Sequence, residues 1–195
     1  GDPVQYGTYG FWAVTMAGHK NLKVLDGART KWVAEDRPMT RNIPRFDAVD
    51  YPTPTPNESM RLGRENVRDN LGKAGRLLLD VRTPEEYSGE RVMEHGQFDH
   101  GAERKGRIPG AKHLFFKELI NADDSYKSAD EIKAIVSAVG ATPDDADEIV
   151  CYCRLSHRAT LVWVAMTQIL GYDNVRIYDG SWTEWGSIVG FPVEG

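Results

Sequence analysis

A chain of 195 residues with 41% hydrophobic content is long enough to bury a real core. Its formal net charge of -5 argues against the clustered Lys and Arg by which proteins neutralise nucleic-acid phosphates or anionic membranes, so any anion must be met locally. No run approaches the roughly 18 apolar residues of a membrane span, no charged-then-apolar leader opens the chain, and a cytoplasmic location is expected.

In chain order, residues 4–17 (VQYGTYGFWAVTMA) are expected to form a helix, 22–25 a strand and 28–35 a short helix. Residues 41–58 (RNIPRFDAVDYPTPTPNE) hold four prolines and no helical periodicity, which predicts an extended linker of partly polyproline character. RLLLD (76–80) is the short apolar run of a fully buried parallel strand, and a helix follows with Pro84 in its first turn. The segment 90–106 is long for an internal loop and contains His95, Asp99 and His100. A strand is expected at 111–116, and then a helix opened by Ser128 and Glu131 in capping-box spacing and closed by Gly140. EIVCY (148–152) reads as a strand, 158–170 as a helix and VRIYD (175–179) as a strand. Ser181 and Glu184 read as a second capping box. Such alternation predicts an α/β fold with a central, mostly parallel sheet flanked by helices, whose ligands sit beyond the carboxyl ends of the strands. Residues 80–82, 153–158 and 179–180 meet that description.

The chain also repeats itself. Residues 18–32 (GHKNLKVLDGARTKW) align without gaps on 171–185 (GYDNVRIYDGSWTEW), with Gly18/Gly171, Asn21/Asn174, Asp26/Asp179, Gly27/Gly180, Thr30/Thr183 and Trp32/Trp185 identical. Duplication is the better reading of this match. It predicts three parts: residues 1–40 as the end of a first domain, 41–58 as the linker, and 59–195 as a second, complete copy. Fragments as short as the first part cannot bury their own apolar faces. They are expected to pack on the second domain or on the rest of the first, which becomes an expected partner, attached or as a separate fragment.

The chemistry concentrates in CYCRLSHR (151–158). The two cysteines, being near neighbours, would form only a strained disulfide, and no second Cys or His pair offers metal-finger spacing. Cys153 directly follows a buried strand and precedes a helix, where backbone N–H groups and the helix dipole favour a thiolate. With Arg154 and Arg158 nearby, such surroundings bring a thiol from about 8.5 into the range of roughly 3.5 to 7.5. Cys153 is therefore a candidate nucleophile, against the plainer reading of a small buried apolar residue. Cys151 lies inside the strand and reads as core.

Four stretches, LLLDVRTPEEYSGE, GRIPGAKHL, CYCRLSHRA and YDGSWTEW, occur in the order and spacing of the rhodaneses. From about residue 60 to 195 the chain resembles the catalytic second domain of a tandem-domain rhodanese. Residues 1–40 resemble the end of the non-catalytic first domain, a remnant with Asp2 near the place of the cysteine. The resemblance implies a six-residue active loop from Cys153 to Arg158 with its amides turned inward. Arg154, Leu155, Ser156, His157 and Arg158 would bind substrate, and Cys153 would take the outer sulfur of thiosulfate as a persulfide and pass it to cyanide or a thiol. No metal or organic cofactor is required. It further implies that Asp80 braces the loop and that Arg82 forms a structural pair. Asp179 and Trp182 are expected close behind the site; Trp182 and Trp185 stand at short-helix spacing, with Trp185 expected in the core and Trp182 expected to line the pocket. GRIPGA would bring Arg107 near the mouth.

Two departures matter. Many relatives have Gly where Ser156 stands, and vertebrate thiosulfate enzymes carry a further basic residue after the strand of Asp80, where this chain has Glu85 and Glu86. The basic loop favours thiosulfate over 3-mercaptopyruvate, and four residues between Cys153 and Arg158 disfavour a phosphatase. A persulfide carrier or redox-sensing module using the same thiol stays open.

Overall fold

The computed structural model describes residues 3–93 and 104–195; His95, Asp99 and His100 lie outside them. Five parallel strands, β1 (Arg61–Leu62), β2 (Arg76–Asp80), β3 (Lys112–His113), β4 (Glu148–Tyr152) and β5 (Val175–Tyr178), form one sheet in the order β1-β5-β4-β2-β3. Helices cover both faces, and the strands are accordingly apolar on both sides. Alternation along β2 and β4 separates two cores. Leu77, Leu79, Ile149, Cys151 and Cys153 face α1 (Val4–Met16), α5 (Ala129–Ala138) and α6 (His157–Val164). Leu78, Val150 and Tyr152 face α3 (Arg64–Asp69) and α7 (Ser181–Trp185). Being two apart along extended backbone, the two cysteines fall on the same face of the sheet.

The N-terminal segment packs on this unit. On α1, Val4, Thr8 and Trp12 are fully buried, Phe11 lies 6.4 Å from the Trp163 ring, and Thr8 shares a 3.0 Å hydroxyl hydrogen bond with Thr160 of α6. Lys31 of α2 (Ala28–Ala34) pairs with Asp123, and Asp26 accepts from the Tyr126 backbone N–H at 2.8 Å. Residues 38–57 carry neither helix nor strand.

Four local expectations need correction. Residues 22–25 are not a strand: a strand exists only in a ladder, and among the described residues none lies beside them. The strand expected at 111–116 shrinks to β3, because Phe116 already opens a 3₁₀ turn. The helix expected at 158–170 begins at His157 and passes into a π turn at Ala165–Ile169. Ser181 and Glu184 form no capping box. Ser181 is the first residue of α7, at φ +52, and Glu184 accepts instead from Tyr178 and Arg64. The capping box at Ser128 and Glu131 is present, and Thr83 and Glu86 form another before α4 (Pro84–Ser88).

Candidate active site

Strand β4 is central, so its carboxyl end lies where ligands bind in open parallel sheets. Cys153 stands one residue beyond it and heads the loop into α6. The β5–α7 turn anchors this loop from behind. Trp182 N–H donates to the Cys153 carbonyl at 2.9 Å and Thr183 N–H to that of Arg154 at 3.2 Å, while Cys153 N–H donates to Ser181 Oγ at 3.3 Å. In a trans peptide the N–H points opposite to the carbonyl before it. With both carbonyls turned to α7, the N–H groups of Arg154 and Leu155 face the other way.

Ser156 supplies the loop's bend. It adopts φ +66, a conformation glycine takes without strain, and is held there by its hydroxyl, which donates to the Asp179 carbonyl and lies 3.3 Å from Ser181 Oγ. The loop thus makes with serine a turn that glycine would make without strain. The Asp179 carboxylate points elsewhere and lies 3.9 Å from Arg61.

Arg158 is paired with Glu86, 72 residues away in the chain. Its two terminal nitrogens donate to the two oxygens of Glu86 at 2.6 and 2.9 Å, and Glu86 is fully buried. Glu86 Oε2 also accepts from Thr83 N–H at 3.1 Å, the capping-box bond that fixes the carboxylate before Arg158 reaches it. Burial pushes this carboxyl up, but the bonds and charge of Arg158 outweigh it and leave it below the ordinary carboxylate value. Glu86 is the residue missed from sequence, although the Thr-x-x-Glu spacing was visible.

His157 opens α6, half-buried, with its ring edge-to-face against Tyr6 at 5.2 Å and Tyr9 at 4.7 Å, both from α1. Burial and then the charge of Arg158 lower its pKa, opposed by Asp179. Burial also lowers that of Arg154. Leu155 is 48% exposed and Cys153 only 1%. Cys151, fully buried in β4, has its thiol pushed up to about 12 by burial and by neighbouring Cys153.

Asp80 and Arg82 form a fully buried ion pair, with Arg82 Nη2 at 2.6 Å from Oδ2 and at 2.8 Å from the Gly106 carbonyl. Asp80 holds Arg82, whose guanidinium stacks 4.6 Å over the Trp182 ring, and Trp182 donates to Cys153. The aspartate's support thus reaches the loop through two intermediaries. Trp182 itself is fully buried and bonded through Nε1 to the Arg104 carbonyl, so it is core rather than pocket lining. Arg107 pairs with Glu194 and stacks on Tyr87 at 4.5 Å, which ties down the C-terminal segment.

An α/β domain with a cysteine at the head of a strand-to-helix loop is the class this geometry defines. Residues 64–188 match the model of the Rhodanese-like domain. The chain is 39% identical over 191 residues to the "Sulfur carrier protein TtuD" of Thermus thermophilus, covering 96% of this chain and 66% of that protein. It is 40% identical over 189 residues to a "Putative thiosulfate sulfurtransferase" of Haloferax volcanii, covering 97% of this chain and 65% of that protein. The anaerobic ergothioneine biosynthesis enzyme from Chlorobium limicola, solved with trimethyl histidine, shares the fold: TM-score 0.80 at 23% identity, covering 96% of this chain and 44% of that one. The chain belongs to the rhodanese family, and it spans about two thirds of the length of the curated relatives it matches.

Proposed function

We propose that the protein is a thiosulfate sulfurtransferase in which Cys153 carries the transferred sulfur. The Cys153 thiolate attacks the outer sulfur of thiosulfate, the bond to the sulfonate sulfur breaks, and sulfite leaves with that electron pair. Cyanide or a thiolate then takes the sulfur from the persulfide and regenerates the thiolate. Two displacements on one nucleophile imply ping-pong kinetics. The observation that carries this reading is the placement of Cys153 at the carboxyl end of the central strand, in a loop whose next two amides turn away from the anchoring helix. Such fixed dipoles stabilise an anionic persulfide, and Arg154 supplies a directional cation for the sulfonate end. With Cys153 only 1% exposed, a donor presents a narrow terminal sulfur rather than its whole body.

The test is thiocyanate formation from thiosulfate and cyanide by wild type and Cys153→Ser, with intact mass after thiosulfate alone. The reading expects one added sulfur on Cys153, discharged by cyanide, and neither event in the variant; thiocyanate formation by Cys153→Ser overturns it.

A carrier role is the second reading, favoured by the name of the Thermus relative. It expects the same adduct to resist cyanide and to discharge to a protein acceptor. The division into a remnant at 1–40, a linker at 41–58 and a catalytic domain at 59–195 belongs to the proposal as well. It is supported by the internal repeat and by the absence of helix and strand from 38–57.

A further inference from the structure

The loop displays two arginines in sequence, yet Glu86 takes both terminal nitrogens of Arg158 into a buried, bidentate pair. A carboxylate at hydrogen-bond distance cancels much of the field of its guanidinium at points lying well beyond the pair's own separation. It also occupies the fork that would otherwise clasp an oxyanion. Glu86 cannot swing away cheaply, since Oε2 is also the acceptor for Thr83 N–H and the side chain is fully buried. The loop is therefore less cationic than its sequence suggests.

We infer that Glu86 is the residue that sets the charge preference of the site: by neutralising Arg158 it suits the loop to sulfur donors with a single negative charge, such as thiosulfonates or persulfides, alongside dianionic thiosulfate. Glu86 acts through Arg158 and is a positioning residue. With a thiosulfonate, Cys153 thiolate takes the terminal sulfur and a sulfinate leaves, so charge and atoms balance as they do with thiosulfate and sulfite.

The experiment compares kcat/KM for thiosulfate with that for methanethiosulfonate, as a ratio at low ionic strength. In Glu86→Gln Arg158 loses the counter-charge of Glu86, and the ratio rises about tenfold in favour of the dianion, mostly through KM. In the double variant Glu86→Gln/Arg158→Gln the pair goes as a unit and the ratio returns to the wild-type value. A merely structural Glu86 would lower both rates together. A ratio in Glu86→Gln within about twofold of wild type overturns the inference. So does a double variant whose ratio falls about tenfold, since Arg158 would then have been serving the donor. If Glu86→Gln alone does not fold, because it strands a buried cation, the double variant carries the test. The inference rests on Cys153 accepting sulfur from an anionic donor. Failure of both donors to persulfidate Cys153 sinks that reading, whereas turnover of both at an unmoved ratio sinks only the role of Glu86.

Discussion

Ser156 donates its hydroxyl to the carbonyl oxygen of Asp179, 2.5 Å away and 23 residues later in the chain. That bond ties the bend of the cysteine loop to the end of β5 while Ser156 holds φ +66. Two substitutions separate the bond from the strain. Ser156→Ala keeps the unfavourable backbone and leaves the carbonyl unanswered, and is expected to cost about 1–3 kcal/mol. Ser156→Gly loses the same bond but relieves the left-handed strain by about 1 kcal/mol, and so is the milder change. Urea unfolding of the two variants checks the order, and a more stable Ser156→Ala would refute it.

The Asp80–Arg82 pair is the second test. Both side chains are fully buried, and removing one charge leaves the other without compensation. Asp80→Asn is expected to destabilise the fold by about 3–5 kcal/mol. Because Arg82 stacks on Trp182, and Trp182 donates to the Cys153 carbonyl, the same variant is also expected to slow persulfide formation in the fraction that stays folded. Denaturant unfolding together with the thiosulfate assay measures both effects.

What was legible in the sequence was mostly what short range decides. Strands β2, β4 and β5 are apolar runs buried on both faces, and α5 announces itself through Ser128 and Glu131. The position of Cys153 between a strand end and a helix start was legible because β4 and α6 are both written in local pattern. The failures are long-range. Residues 22–25 match β5 in the repeat, but a strand is a property of its neighbours. Ser181 and Glu184 had the spacing of a cap, yet the Ser181 hydroxyl accepts from Cys153 and donates to the Tyr178 carbonyl. The pairing of Glu86 with Arg158 joins positions 72 residues apart and leaves no local signature.

Cys151 offers a control for the reacting thiol. It lies between Leu79 of β2 and Ile177 of β5 in the ladder, and burial pushes its thiol up to about 12. Cys151→Ala is expected to cost about 1–2 kcal/mol for the small cavity it opens, while persulfide formation persists. Mass spectrometry of thiosulfate-treated protein, with peptide mapping, should find the added sulfur on Cys153 in both wild type and variant. Its loss in Cys151→Ala would mean that Cys151 is more than core.

The pH dependence of stability is expected to carry the mark of His157. Among the described residues, the rings of Tyr6 and Tyr9 on α1 pack against this imidazole, and the charges of Arg158, its neighbour on α6, and of Asp179, at the end of β5, act on it through space. Burial and Arg158 hold its native pKa below the ordinary 6.5, with Asp179 opposing. Between the native value and 6.5 the unfolded chain therefore binds more protons than the folded one, and stability rises with pH across that window. Its contribution is intact above 6.5, is lost as the pH falls through the window, and declines no further below the native pKa. His157→Gln removes this slope, so the difference between the two unfolding profiles isolates the residue. Tyr9→Ala uncovers the ring and is expected to move its NMR titration midpoint up toward 6.5. A midpoint at or above 6.5 in the unaltered protein would show that Asp179, not burial and Arg158, governs the imidazole.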